Sequence, residues 1–153
     1  MHQPAKGQKW YFGMKTHVGV ESRTKLIHTM LVSAANSADR DALPYLLHGK
    51  ETRVWADRDY HGQTNLIREN APRAQDFINK RYRFHGNVND VEKAKNRNKS
   101  RVRATVEHVF AVIKNIIGFR KTRYCGLAKN LHRLEVTAAL TNLYMVRREL
   151  LKA

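Results

Sequence analysis

Val102, Val106, Val109, Phe110, Ile113, Ile116 and Ile117 recur at three- and four-residue steps. That repeat lines one face of an α-helix with apolar side chains, and such a stripe needs another apolar surface to cover it. Gly118 marks the expected stop. At about 100° per residue, Arg103, Glu107 and Lys114 fall on one polar strip beside the stripe, a carboxylate between two cations. A second helix is expected over Leu127 to Leu151. It is apolar over most of its circumference between Val136 and Val146, so it is expected to pack on two sides.

The upstream part supplies the surface to be covered. Trp10, Phe12, Met14, Val18 and Val20 alternate with Tyr11, Lys15 and His17, the period of a half-buried strand. A polar bend, Glu21 to Lys25, leads to Leu26 to Val32 and predicts an antiparallel hairpin. Asn36 or Asp39 then caps a short helix holding Leu43, Leu46 and Leu47, with Gly49 at its end. Val54 to Asp57 reads as a short strand, Gln63 to Glu69 as a helix broken by Pro72, and Asp76 to Lys80 as another brief strand. The order predicts a mixed α/β plan, one unit of 153 residues with helices covering a sheet.

Charge narrows the partners. Lys and Arg number 29 against 13 Asp and Glu, a net charge of +16. Such a field concentrates polyanions and gains from counterion release when phosphates bind. Nine of the cations, Lys80, Arg81, Arg83, Lys93, Lys95, Arg97, Lys99, Arg101 and Arg103, lie between residues 80 and 103, with only Asp90 and Glu92 opposing them. Contact with a nucleic-acid backbone is expected there, part of the segment as a mobile loop; a solvated charged face is the plainer alternative. No apolar run is long enough to span a bilayer and no signal-peptide pattern precedes the first strand. Cys125 is the only cysteine, so an internal disulfide and a cysteine-based zinc site are excluded.

Cutting and joining phosphodiesters calls for carboxylates that hold two divalent ions, one at the attacking and one at the leaving oxygen. Hard oxygen ligands suit Mg²⁺. Asp57, closing the Val54-Trp55-Ala56 run, and Glu107, beside the helical stripe, are candidates. The competing readings are ordinary ones: a strand-end Asp that caps a turn, and a helical Glu in a surface ion-pair array. The histidines show no His-x-x-x-His helical spacing, and Trp55 reads as core.

A set of segments in order adds to this. Met1-His2-Gln3, Gln8-Lys9-Trp10-Tyr11-Phe12-Gly13-Met14-Lys15, Val54-Trp55-Ala56-Asp57 with Tyr60 and Gly62, Arg103-Ala104-Thr105-Val106-Glu107-His108, Arg123 to Asn130 and Asn142 to Met145 resemble the DDE transposases of the bacterial insertion-sequence-five family. The resemblance implies an RNase H-like mixed sheet flanked by helices, in which three acids bind two Mg²⁺ or Mn²⁺ ions to cut and join transposon-end DNA. By that resemblance Asp57 matches the second catalytic aspartate and Glu107 the catalytic glutamate. The family's Tyr, Arg, Glu, Lys pattern places Arg103 and Lys114 as phosphate contacts, with Lys99 and Arg101 beside them; its tyrosine position falls on Ser100. Asp59 stands where the family usually has Gly. In an extended segment it would share a strand face with Asp57.

In relatives the first catalytic aspartate lies on a central strand upstream of Met-His-Gln, so the chain is expected to be the C-terminal portion of such a transposase, an incomplete fold that cleaves poorly alone. The implied setting is the bacterial cytoplasm and nucleoid, with DNA and further transposase copies as partners and no membrane. The alternative is a non-catalytic basic DNA-binding protein, or a truncated inhibitor of an intact transposase.

Overall fold

The computed structural model describes residues 3–6, 9–11, 13–85 and 87–152. The elements are β1 (Gln3–Lys6), β2 (Lys9–Tyr11), β3 (Met14–Val20), β4 (Ile27–Ala34), α1 (Leu43–Leu46), β5 (Arg53–Val54), α2 (Thr64–Asn70), β6 (Gln75–Asp76), β7 (Arg83–Phe84), β8 (Asn87–Val88), α3 (Asp90–Asn115) and α4 (Leu127–Leu150). The chain is mixed α/β, as expected. Among the described residues the strands form four two-stranded sheets, β1-β2, β3-β4, β5-β6 and β7-β8. Two compact units result, residues 1–38 with 106–153, and residues 39–105.

In the first unit β3 and β4 pair antiparallel from Met14↔Ala34 to Gly19↔Thr29, then shift register at Val20↔Ile27. The predicted strand thus exists as β3 for Met14 to Val20, with Trp10 and Tyr11 in β2 and Phe12 outside the described residues. Alternation holds, because Val18 and Val20 pack on the core formed by Ile27, Val109 and Ile113. The other face is not left to water either: His17 is buried, its Nε2 2.8 Å from Ser33 Oγ. A Cβ at Gly19 would meet the His28 ring at 2.5 Å, so a side chain there would have to turn this exposed imidazole aside.

The predicted stop of α3 is also present. Gly118 has φ +77, the left-handed backbone common just past a helix end, and the Phe119 N–H donates back to Ile113 O at 3.0 Å. Arg120 Nε caps the Lys114 carbonyl. The stripe is only partly covered: Val109 and Ile113 are buried, whereas Ile116 lies beyond the last α-helical residue and is exposed. α4 packs on β4. Its expected second packed side is not found among the described residues, where Val136, Leu140 and Leu143 remain exposed.

Asn142, on α4, reaches 115 residues back along the chain. Its Oδ1 accepts from the Ile27 N–H at 2.8 Å and its Nδ2 donates to Ile27 O at 2.8 Å. The amide therefore satisfies a strand-end residue in both senses, which no apolar side chain can do. Asn142→Leu is expected to cost about 2 kcal/mol, because a donor and an acceptor near the core lose their partners together. Asn142→Asp, keeping the acceptor alone, should fall between the two in urea denaturation.

In the second unit Leu43, Val54, Ile67 and Ile78 form the core, with Leu47, Ala56, Tyr60, Leu66 and Ala74 packed against it. β5 and β6 are parallel, joined through α2, and the ladder extends past the strand bounds: Phe77 N–H donates to Val54 O and Asn79 N–H to Ala56 O. Parallel pairing carries the ends of both segments to the same side, with Val54 of β5 and Ile78, just past β6, buried in the core.

The long helix begins earlier than its apolar stripe suggests. Of residues 80–103, expected to be in part a mobile loop, those from Asp90 onward are α-helical, and β7 and β8 precede them. Asn89 caps this helix, its Oδ1 accepting from the Glu92 N–H at 3.0 Å, while Asp90 and Glu92 lie in the first turn where the helix dipole favours anions. The Asn89-x-x-Glu92 spacing is a helix-start signal that the density of cations obscures.

Candidate active site

The second unit places Asp57 where the extended backbone after β5 turns. Asp57 has φ −72 and ψ 168, and its Oδ1 accepts from the Arg58 N–H at 2.7 Å, opening a 3₁₀ turn over Arg58–Tyr60. The strand itself covers only Arg53–Val54, so Asp57 is a capping residue, as the ordinary reading of a strand-end aspartate has it. Asp59 consequently sits within the turn, not on an extended strand face with Asp57.

The other carboxylate oxygen of Asp57 meets a residue 46 positions away. Arg103 Nη1 donates to Asp57 Oδ2 at 2.9 Å, a charge-assisted bond between side chains 31% and 49% exposed. Half-exposed pairs of this kind contribute little to stability, about 0–1 kcal/mol, so its interest lies in what it positions.

Arg103 ends a polar row along α3 that periodicity alone does not reveal. Asn96 is buried and clamps Lys80, accepting its N–H at 3.1 Å and donating to its carbonyl at 2.6 Å. Lys99 Nζ donates to Ile78 O at 2.9 Å and lies 3.8 Å from Glu92 Oε1. Ser100 Oγ accepts from Asn79 Nδ2 at 3.1 Å. Residues 96, 99, 100 and 103 follow three- and four-residue steps, so one face of α3 is tied to the segment leaving β6 and to Asp57. The polar strip expected from the sequence held Arg103 with Glu107 and Lys114; the row through Asn96, Lys99 and Ser100 emerges only from their partners far along the chain.

Arg101 and Lys114 are exposed, with the Lys114 ammonium over the Phe110 ring at 5.8 Å. Glu107 is an exposed residue of α3 in the first unit. Among the described residues no group of three or more His, Cys, Asp or Glu is arranged to hold a metal ion. No helix among them is long and apolar enough to cross a membrane.

Tyr60 records the electrostatics around Asp57. Burial, and after it the charges of Asp39, Asp57 and Asp59, push its phenol from 10.0 up to about 12. The neutral hydroxyl is therefore retained more tightly in the fold than in the unfolded chain. Its stabilising effect is complete below pH 10 and is lost as pH rises from 10 to about 12. Ultraviolet titration of the six tyrosines should show one late phase near pH 12 that Tyr60→Phe removes.

A family model described as the transposase DDE domain matches residues 1–143. The chain belongs to that family. Transposase domains of this kind act in DNA transposition, bind transposon DNA and use divalent metal ions. No solved structure matches the chain. The match covers both compact units of the transposase domain and ends within α4, taking in Asp57, Arg103, Glu107 and Lys114 alike.

Proposed function

We propose that the chain is an insertion-sequence-five type DDE transposase domain with an RNase H-like fold, which cuts and joins transposon ends through Asp57 and Glu107. The observation that carries this reading is the Asp57–Arg103 pair. Two residues matched to separate motifs of the family, 46 positions apart, come within 2.9 Å of each other.

The donor chemistry fits a divalent cation. Asp57 offers hard carboxylate oxygens whose orientation is held by the Arg58 N–H and by Arg103, and Glu107 is an exposed carboxylate on a long helix. When bound, such ions supply Lewis acidity at the attacking and leaving oxygens of an in-line phosphoryl displacement. Asp57 and Glu107 are the residues that would hold them, with a further acid from outside this set. Arg103 holds the Asp57 carboxylate in its orientation through the 2.9 Å bond to Oδ2. It also brings a guanidinium suited to a phosphate oxygen beside that acid. Arg101 and Lys114, both exposed, contact phosphates directly; Lys99 does so only by releasing the Ile78 carbonyl. The protein acts in the bacterial cytoplasm on nucleoid DNA, in company with other transposase copies.

The test is magnesium-dependent nicking of supercoiled DNA by the purified protein beside its Asp57→Asn and Glu107→Gln variants. The reading expects nicking that both substitutions abolish. Nicking that survives either substitution would refute it, and so would a folded, DNA-binding protein that does not nick in magnesium or manganese.

A further inference from the structure

Within the second unit a cavity of about 750 Å³ opens beside Asp57. Three walls form it: the turn of Asp57, Arg58 and Asp59; the segment of Asn79, Lys80 and Tyr82; and the first turns of α3, with Asp90, Lys93, Asn96, Arg97 and Ser100. All of these residues belong to one compact unit.

The cations of this cavity differ from the others of the basic segment. Lys99 and Arg103 are already committed, one to Ile78 O and the other to Asp57. Lys93 and Arg97 stand one helical turn apart on the cavity wall. Lys80 faces the same space with its backbone fixed in both directions by the buried Asn96 amide. No side-chain hydrogen bond or ion pair engages Lys80, Lys93 or Arg97 among the described residues, and all three are exposed. Arg58 adds a fourth cation from the Asp57 turn; the four outnumber Asp57, Asp59 and Asp90 on the same lining, and Asp57 is already paired with Arg103, so the cavity keeps a net positive charge that favours an anion. The volume falls in the range of ordinary ligand sites, about 300–1,000 Å³, and admits a stretch of one strand rather than a whole duplex.

We propose that Lys80, Lys93 and Arg97 form a phosphodiester subsite that seats the DNA strand next to the position acted on at Asp57. The inference rests on the transposase reading for its substrate. Asn96 is a positioning residue here, since it holds the Lys80 backbone and does not itself reach the anion. Asp57, Asp59 and Asp90 line the same cavity, so the cations anchor the strand at one place and the acids leave the rest of the space to metal-bridged contact when divalent ions are present.

The experiment compares two pairs of equal charge: Lys93→Gln with Arg97→Gln in the cavity, and Arg68→Gln with Arg73→Gln, also exposed in the same unit but outside it. Binding of the full chain to a fluorescein-labelled duplex is measured in EDTA between 50 and 200 mM salt. Each phosphate contact contributes about 0.9 to the slope of log affinity against log salt. The cavity pair should lower the slope by about 2 and the affinity by about tenfold or more, and adding Lys80→Gln should take off about one further unit of slope. The outside pair should change the slope by less than half as much. Equal losses from both pairs, or no loss from the cavity pair, would overturn the subsite, and so would a wild-type chain that does not bind DNA. Selective loss in the cavity pair supports the subsite even where the protein fails to nick DNA, which separates this inference from the catalytic one.

Discussion

Asparagine in place of Asp57 is expected to reduce magnesium-dependent cleavage by the transposase about 100-fold or more, while DNA affinity and thermal midpoint stay close to the wild-type values. The size follows from what is removed. One preorganised electrostatic partner of a charged transition state already contributes a factor of about 10²–10³, and a carboxylate that holds a metal contributes no less. The contrast with stability follows from two features of the local structure. The asparagine Oδ1 can still accept the Arg58 N–H, and asparagine caps turns as well as aspartate does. The lost ion pair with Arg103 is about half exposed on the Asp57 side, so its removal costs about 1 kcal/mol or less. Nicking kinetics over a magnesium titration, set beside a melting curve, separate the two effects. A melting point that falls in step with activity would make Asp57 a structural cap only, and the same comparison applies to Glu107→Gln.

The second large effect concerns the scaffold under Asp57. Ile67 on α2 is 1% exposed and packs with Leu43, Val54 and Ile78, the residues that hold β5 and β6 side by side. Ile67→Ala is expected to cost about 2–5 kcal/mol, lost transfer energy plus a cavity that this small core cannot refill. Against a total of about 5–15 kcal/mol that is a large share. The thermal midpoint should drop by about 4–20 °C. Ile116→Ala is the comparison. The same apolar side chain, picked out by the helical stripe but exposed, should change stability by less than about 1 kcal/mol. Equal costs at the two positions would mean that the core of the second unit is not where these contacts put it.

These two isoleucines also show how far periodicity reads. The stripe predicted a helix ending near Gly118, and α3 does end there; it did not predict that Ile116 would stay in water. Alternation predicted β3 and its hairpin with β4, but gave no reason for His17 to be buried opposite Ser33. The basic segment was misread in part because cation density suggests a solvated loop. The start signal at Asn89 and Glu92, and the polar row of Asn96, Lys99, Ser100 and Arg103, instead make it one face of a packed helix. Asp57 was legible as a residue of interest. Its capping geometry was legible only as the plainer of two readings.

What the sequence alone determined is the kind and facing of the main elements, together with the family motifs. Side-chain direction repeats every 3.6 residues in a helix and every two in a strand, so a local pattern carries that information without knowledge of the rest of the chain. What the tertiary structure decided is which polar groups meet. Arg103 with Asp57 across 46 residues, Asn142 with Ile27 across 115, and Asn96 with the Lys80 backbone depend on how the chain returns on itself. No local repeat encodes that return, because a buried donor finds its acceptor through the path of the whole chain.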